Sequence, residues 1–313
     1  MTVAQPANQL AGIGPHASAG SGAEGSVRGF LRLVVIEHSV FALPFAYLAA
    51  LTAMRTVGAQ VRWGDLLLIT MAMVAARTFA MATNRLVDRD LDARNPRTAQ
   101  RELVTGALAP RVVWVGAIVA AAVFAVAAAL LSSLCLALSP LALALLAVYP
   151  YTKRFTALCH AMLGVTQSVA PVGAWLAVTG GWSARAVLLG VAVGSWIGGF
   201  DVIYACQDID SDRREGLRSL PSRAGARVAL RVSTLVHVGT IGLLVWFGAA
   251  AGFGGLWYAG VVATALALAY EHAIVRPDDL HRVNRAFFTV NGYIAVGLFA
   301  FGLVDLLHRG LRA

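Results

Sequence analysis

The chain has 313 residues, 58% of them hydrophobic and only 13% charged, against about 45–50% apolar and about 25% charged in an average soluble domain. That balance excludes a soluble globular protein, and the formal charge of +9 does not point to nucleic acid, because the basic residues sit in loops between apolar stretches, where membrane topology accounts for them. Cys135, Cys159 and Cys206 fall in apolar stretches without CxxC spacing, so neither a disulfide framework nor a zinc site is suggested and all three read as small core residues.

Residues 1–27 are mostly Gly, Ala, Ser and polar residues with no basic start and no apolar core, which predicts a disordered tail before a membrane domain over 28–313. Two long windows then carry no Asp, Glu, Lys or Arg: 41 residues between Arg111 and Lys153, and 39 between Arg231 and Glu271. About 20 apolar residues cross a bilayer as a helix, so each window holds two crossings. With the Gly, Pro and Ser breaks, spans are expected near 33–54, 65–84, 112–131, 134–151, 157–178, 185–206, 232–250, 254–271 and 286–305. The fold class is therefore all-α, a polytopic bundle of about nine transmembrane helices. Tight hairpins are expected at Ser132-Ser133 and within Gly248 to Gly255. With the N-terminus inside, 19 of the 25 basic residues fall on the inner side, which predicts a cytoplasmic N-terminus, an outer C-terminus and the plasma membrane as location.

Eight of the 16 acidic residues fall in two short segments at the inner ends of the second and sixth spans. In the first, Asn84, Asp88 and Asp92 recur every four residues and share one helix face; in the second, Asp208 and Asp212 repeat the step, with Asp201 two turns earlier. Asp90 and Asp210 fall off that face and read as solvated. Packed carboxylates are costly unless a cation neutralises them, and oxygen-only ligands suit a hard ion such as Mg²⁺. Mg²⁺ uses one or two carboxylates and completes its shell with water and phosphate oxygens, so the expected cargo is a diphosphate. The competing reading is a salt-bridged, solvated surface. Lys153, within Tyr149-Pro-Tyr-Thr-Lys153 at the inner end of the fourth span, is the only lysine beside 24 arginines, as if a compact ammonium were required there; a snorkelling anchor is the alternative. Arg97 and Arg101 offer further cations for phosphate oxygens or for anchoring.

These residues resemble the UbiA family of integral membrane prenyltransferases. Asn84-Arg-Leu-Val-Asp88-Arg-Asp-Leu-Asp92 is similar to its first NxxxDxxxD signature, Asp201 to Asp212 to its second, and Tyr149xxxLys153 to its YxxxK element. The resemblance spans roughly residues 28–305 and implies nine helices around a central cavity, two Mg²⁺ ions held through a diphosphate, and transfer of a polyprenyl chain. By position it places Asn84, Asp88, Asp92, Asp208 and Asp212 at metal and diphosphate, Arg89, Lys153 and Arg154 at phosphate or acceptor, and Asp201 as a helper at the second cluster. Within the family, Glu37 to Phe45 and Arg276 to Tyr293 resemble the branch that forms menaquinone by the futalosine route and prenylates 1,4-dihydroxy-6-naphthoate; the 4-hydroxybenzoate branch of ubiquinone formation is the closest competitor.

Cleavage of an allylic diphosphate leaves a carbon cation that aromatic faces stabilise, with Phe41, Phe45, Tyr149, Tyr204, Phe287 and Tyr293 as candidates. The apolar tail is expected between helices, in contact with the bilayer. Polar groups inside spans are costly and call for a role: Glu37, His38, Arg77, Gln167 and Asn291 stand out, with His38 and Asn291 favoured for the aromatic acceptor and helix-to-helix hydrogen bonding as the alternative. A rival of another class is an ion-coupled transporter, although the acids lie at span ends and not at the bilayer midplane.

Overall fold

The computed structural model describes residues 29–30 and 42–312; the expected tail over 1–27, the start of the first span, and Glu37, His38 and Phe41 lie outside them. Among the described residues there are nine helices of fifteen residues or more: α1 Leu43–Val57, α2 Trp63–Val87, α3 Pro110–Leu131, α4 Ser133–Val148, α5 Cys159–Thr179, α6 Ala184–Ala205, α7 Leu220–Ala251, α8 Gly255–Ile274 and α9 Asn291–His308. Seven helical segments are long and apolar enough to cross a membrane. Large apolar side chains such as Leu67, Ile118, Leu235 and Leu266 point outward, which in this composition is the face a bilayer covers.

Both expected hairpins are present. Ser132 ends α3 in extended conformation and its hydroxyl accepts the Cys135 amide at 3.1 Å, starting α4. Gly252 closes α7 with φ 71°, a left-handed conformation that glycine adopts without strain. The seventh span is longer than expected. Arg223, Arg227 and Arg231 interrupt the apolar run, but they point outward, and the helix continues beneath them to Leu220, broken only at Gly225 with φ 79°. The ninth opens with a π-helical turn, Arg285–Val290, and runs on to His308.

The core packs around Phe45, Trp196, Phe247 and Trp257. α5 and α6 approach closely because their contact face is glycine: a Cβ added to Gly164 would lie 2.5 Å from the Gly194 carbonyl oxygen, and one on Gly198 2.9 Å from that of His160. The even-numbered helices α2, α4 and α6 end together, where Lys153, just after α4, meets Asp88, just after α2, at 2.6 Å. The odd-numbered α1, α7 and α9 end at the other side, where Arg55 bonds the Ala251 carbonyl and Asp305 accepts the Gly254 amide at 2.7 Å. The residues expected to carry chemistry are thereby gathered at one end of the bundle.

Candidate active site

α2 stops at Asp88, whose φ −96° and ψ 5° break the helix before a short turn, Arg89–Arg94. The break does not lose the four-residue step: the Asp88 amide still donates to Asn84 at 2.9 Å and the Asp92 amide to Asp88 at 2.7 Å. Opposite, α6 passes through a 3-10 turn, Cys206–Asp208, into the short helix Ile209–Arg214. Asn84, Asp88 and Asp92 on one wall and Asp208 and Asp212 on the other line a polar cavity of about 140 Å³, together with Arg97, Arg101 and Lys153. Asp90 and Asp210 are exposed, as their register predicts.

The carboxylates are paired with cations. Asp88, 3% exposed, accepts from Lys153 Nζ at 2.6 Å and from Arg154 at 3.2 Å. Arg101 grips both oxygens of Asp92 at 2.6 Å. Arg97 holds Asp208 through Nε at 2.9 Å and a terminal nitrogen at 2.5 Å, and donates to the Tyr204 hydroxyl at 3.0 Å. Burial works against the Arg97 charge, but the hydrogen bond and charge of Asp208 outweigh it and hold its pKa above the ordinary arginine value. Two participants carried no sequence signal: Asn95, which donates to Asp208 at 2.9 Å, and Ser219, which donates to Asp212 at 2.5 Å; Glu215, the last acid of the second segment, accepts from Arg94 at 2.7 Å across the two walls.

Two turns deeper, about 10 Å along the same helices, lies a second cavity of about 440 Å³. Its lining from α2, α3, α4, α5 and α6 is mostly Ala, Leu, Val and Phe, with Arg77, Gln167 and Asp201 among them. Asp201 therefore faces this apolar space and not the second acidic cluster. Its Oδ2 lies 2.6 Å from His160 Nδ1, while His160 Nε2 accepts the Leu220 amide at 3.4 Å, which places the imidazole proton on the nitrogen facing Asp201. Phe200 and Phe287 also line the cavity, with ring centroids 5.1 Å apart, and Tyr204 stacks on Phe287 at 4.2 Å.

Several expectations are corrected. Arg89 is exposed at the start of its short helix and lines neither cavity. Asn291 is fully enclosed: its oxygen accepts from Trp196 at 2.9 Å and its amide donates to Glu271 at 2.9 Å and to the Ala286 carbonyl at 3.2 Å. It joins α6, α8 and α9 by the helix-to-helix hydrogen bonding that was the alternative, with both N–H donors used and neither cavity reaching it. Tyr149 and Tyr204 line neither cavity, Tyr204 lying instead under the Arg97 guanidinium, Phe45 packs into the core against Trp196, and Tyr293 is 75% exposed.

Among the described residues, no three His, Cys, Asp or Glu side chains converge as a ready-made metal site. The donors are two aspartates and an amide oxygen on one wall and two aspartates on the other. Such a set fits Mg²⁺, which takes few protein oxygens and completes its shell from water and phosphate.

Residues 42–293 match the UbiA prenyltransferase family. The chain belongs to that family. It is 32% identical over 255 residues to a 4-hydroxybenzoate octaprenyltransferase of Thiobacillus denitrificans, covering 80% of this chain and 84% of that one. It is 30% identical over 274 residues to another of Burkholderia vietnamiensis, covering 87% and 93%. Among solved structures, the apo form of a UbiA homologue from Aeropyrum pernix K1 superposes with a TM-score of 0.78 at 35% identity, over 86% of this chain and 98% of that chain. A UbiA homologue from Archaeoglobus fulgidus, bound to GPP and Mg²⁺, shares the fold at 19% identity with a TM-score of 0.71, over 89% and 99%. As a UbiA prenyltransferase this chain is an integral membrane enzyme, and the transporter reading falls away.

Proposed function

We propose that this UbiA enzyme transfers a polyprenyl chain from an allylic diphosphate to a hydroxylated aromatic carboxylate in quinone biosynthesis, with Mg²⁺ as cofactor. The observation that carries the reading is the pairing of the two cavities: a polar one lined by acids and cations, and a large apolar one two turns deeper along the same helices. The diphosphate belongs in the first and the chain in the second. The Archaeoglobus homologue with GPP and Mg²⁺ supports the donor and the metal.

On this reading Asn84, Asp88, Asp92, Asp208 and Asp212 would hold Mg²⁺ beside the diphosphate. Mg²⁺ supplies a Lewis acid that neutralises charge growing on the leaving group. Lys153, Arg154, Arg97 and Arg101 turn their N–H donors from the carboxylates to phosphate oxygens. As the C–O bond breaks, its electron pair leaves with the diphosphate, and Phe200 and Phe287 present their rings to the allylic cation, with Tyr204 bracing Phe287 from behind. An electron-rich ring carbon then bonds to the terminal allylic carbon and loses its proton. Asp201 takes that proton: it is the carboxylate lining the apolar cavity, and His160 occupies only one of its oxygens.

The acceptor is read as 1,4-dihydroxy-6-naphthoate, on the resemblance of residues 37–45 and 276–293 to the menaquinone branch. The names of the curated relatives favour a second reading, 4-hydroxybenzoate. The distribution of basic residues supports the plasma membrane with the polar cavity facing the cytoplasm. Membranes containing the protein, Mg²⁺ and a long allylic diphosphate, offered each acceptor in parallel with and without EDTA, decide between them. EDTA-sensitive lipid-soluble product from the naphthoate alone supports the first reading and from the benzoate alone the second. No product from either overturns the proposed acceptor class.

A further inference from the structure

On the polar-cavity side of the bundle, α7 and the connection from α8 to α9 form an edge rich in exposed arginine. On α7, Arg227 and Arg231 share a stripe with Leu235 and Val238, which are 72% and 66% exposed, so the arginines continue the face that the bilayer covers. From Arg231 to the end of α7 at Ala251 the helix rises about 30 Å, the thickness of the hydrocarbon core. Arg231 therefore sits where acyl chains give way to headgroups, and Arg227 one turn further out, at the depth of the phosphates. Arg223 is exposed beyond the break at Gly225. The α8 to α9 connection is fastened beside this stretch, since Val275 and Val283 bury with Ala229 and Leu230, and it adds Arg276, Arg282 and Arg285, all exposed.

The arginines around the polar cavity are ion-paired, to Asp88, Asp92, Asp208 and Glu215. Among the described residues, none of the six on this edge is. The connection does contain Asp278 and Asp279, but both are exposed, and an Asp279 oxygen accepts the His281 amide at 3.2 Å. Topology explains arginines scattered around one side of a bundle; it does not explain six gathered on one edge without the acids that pair the others. Like charges so placed repel, and phosphate anions relieve the repulsion. A guanidinium also meets phosphate oxygens through paired N–H donors. A soluble phosphate would leave the apolar half of the stripe unused, whereas a lipid covers it with an acyl chain. We propose that this edge binds an anionic phospholipid, its phosphate on Arg227 and Arg231 and its chain along Leu235 and Val238. The arginines of the connection offer a place to a second phosphate, as in a diphosphatidyl lipid. Bound there, the lipid braces the segment that leads through Arg285 into the π-helical turn carrying Phe287.

The test titrates purified protein in detergent with cardiolipin, phosphatidylglycerol and phosphatidylcholine and counts bound lipid by native mass spectrometry. Wild type is compared with a triple variant, Arg227→Gln, Arg231→Gln and Arg282→Gln, with Arg→Lys at the same three positions, and with Arg111→Gln, which removes an exposed charge on α3 from the same side of the bundle. A basic residue at an anionic lipid surface is worth about fivefold in affinity. The triple Arg→Gln variant should therefore bind both anionic lipids about a hundredfold more weakly, with phosphatidylcholine unchanged and with the Arg→Lys and Arg111→Gln proteins close to wild type. Cardiolipin should also raise the midpoint of thermal unfolding of wild type and leave that of the triple Arg→Gln variant where it was. Neither readout needs prenyl transfer, so the site stands or falls apart from the proposed function. Equal affinity of wild type for phosphatidylcholine and cardiolipin, unchanged cardiolipin binding in the triple Arg→Gln variant, or an equal loss in Arg111→Gln would overturn the proposal. Displacement of the lipid by pyrophosphate, at constant ionic strength and without Mg²⁺, would overturn it in favour of a soluble anion.

Discussion

Asp88 is nearly enclosed, and its two oxygens meet Lys153 and Arg154. A buried carboxylate so held is costly to remove for fold and for chemistry alike, so its role is best read against Asp208, which faces it across the cavity. Asp88→Ala and Asp208→Ala should each lower transfer at least about a hundredfold, the order lost when one electrostatic stabiliser is removed, while size-exclusion profiles in detergent stay those of a folded protein; full activity in both would refute the metal assignment. Asn291 predicts the opposite pattern. Its replacement by Ala leaves Glu271 and Trp196 without their partner and should cost about 1–3 kcal/mol of stability, with the acceptor KM unchanged. At this scale the aspartates were legible because four-residue spacing is visible in a string of letters. His160 was not, because it reaches the site from a separate stretch of chain, and Asn95 and Ser219 were not, because they fall off the four-residue step and a single polar residue carries no spacing.

Helices were legible where charge is absent and blurred where it returns. The Ser132 and Gly252 hairpins follow from local capping chemistry, whereas the extra turns of α7 lie under exposed arginines that hydropathy alone reads as loop. Asn291 shows the same limit: a polar group inside a span calls for a partner, and only packing says whether that partner is a ligand or, as here, the neighbouring helices. The α5 and α6 pair gives the test. A methyl group at Gly164 would press on the Gly194 carbonyl of the facing helix, where backbone has no rotamer to escape into. Gly164→Ala should therefore cost about 1–3 kcal/mol, read as a lowered midpoint of thermal unfolding in detergent, with a matching loss of activity because α6 carries Asp201 and leads to Asp208.

For the whole molecule, even-numbered helices finishing at one end and odd-numbered ones at the other put Arg89 and Arg312 on opposite sides of the membrane. With the polar cavity facing the cytoplasm, a cysteine at Arg89 should react with a membrane-impermeant maleimide in inverted vesicles and one at Arg312 in intact spheroplasts; the reverse pattern would reverse the orientation. The same end of the bundle is also where the first half of the chain is fastened to the second, through Arg94 to Glu215 and through Asn95 and Arg97 to Asp208. On the proposed reading, the mouth works as an ion exchanger. A metal arriving alone must evict a guanidinium or ammonium from its carboxylate, and a diphosphate arriving alone must draw those cations away from the acids. Only the two together leave every charge with a partner, so pyrophosphate should bind weakly without Mg²⁺ and tightly with it, which calorimetric titration reads directly. The fastening between the halves would then pass from side chains to ligand, and the enzyme would be held most firmly shut when it carries its substrate.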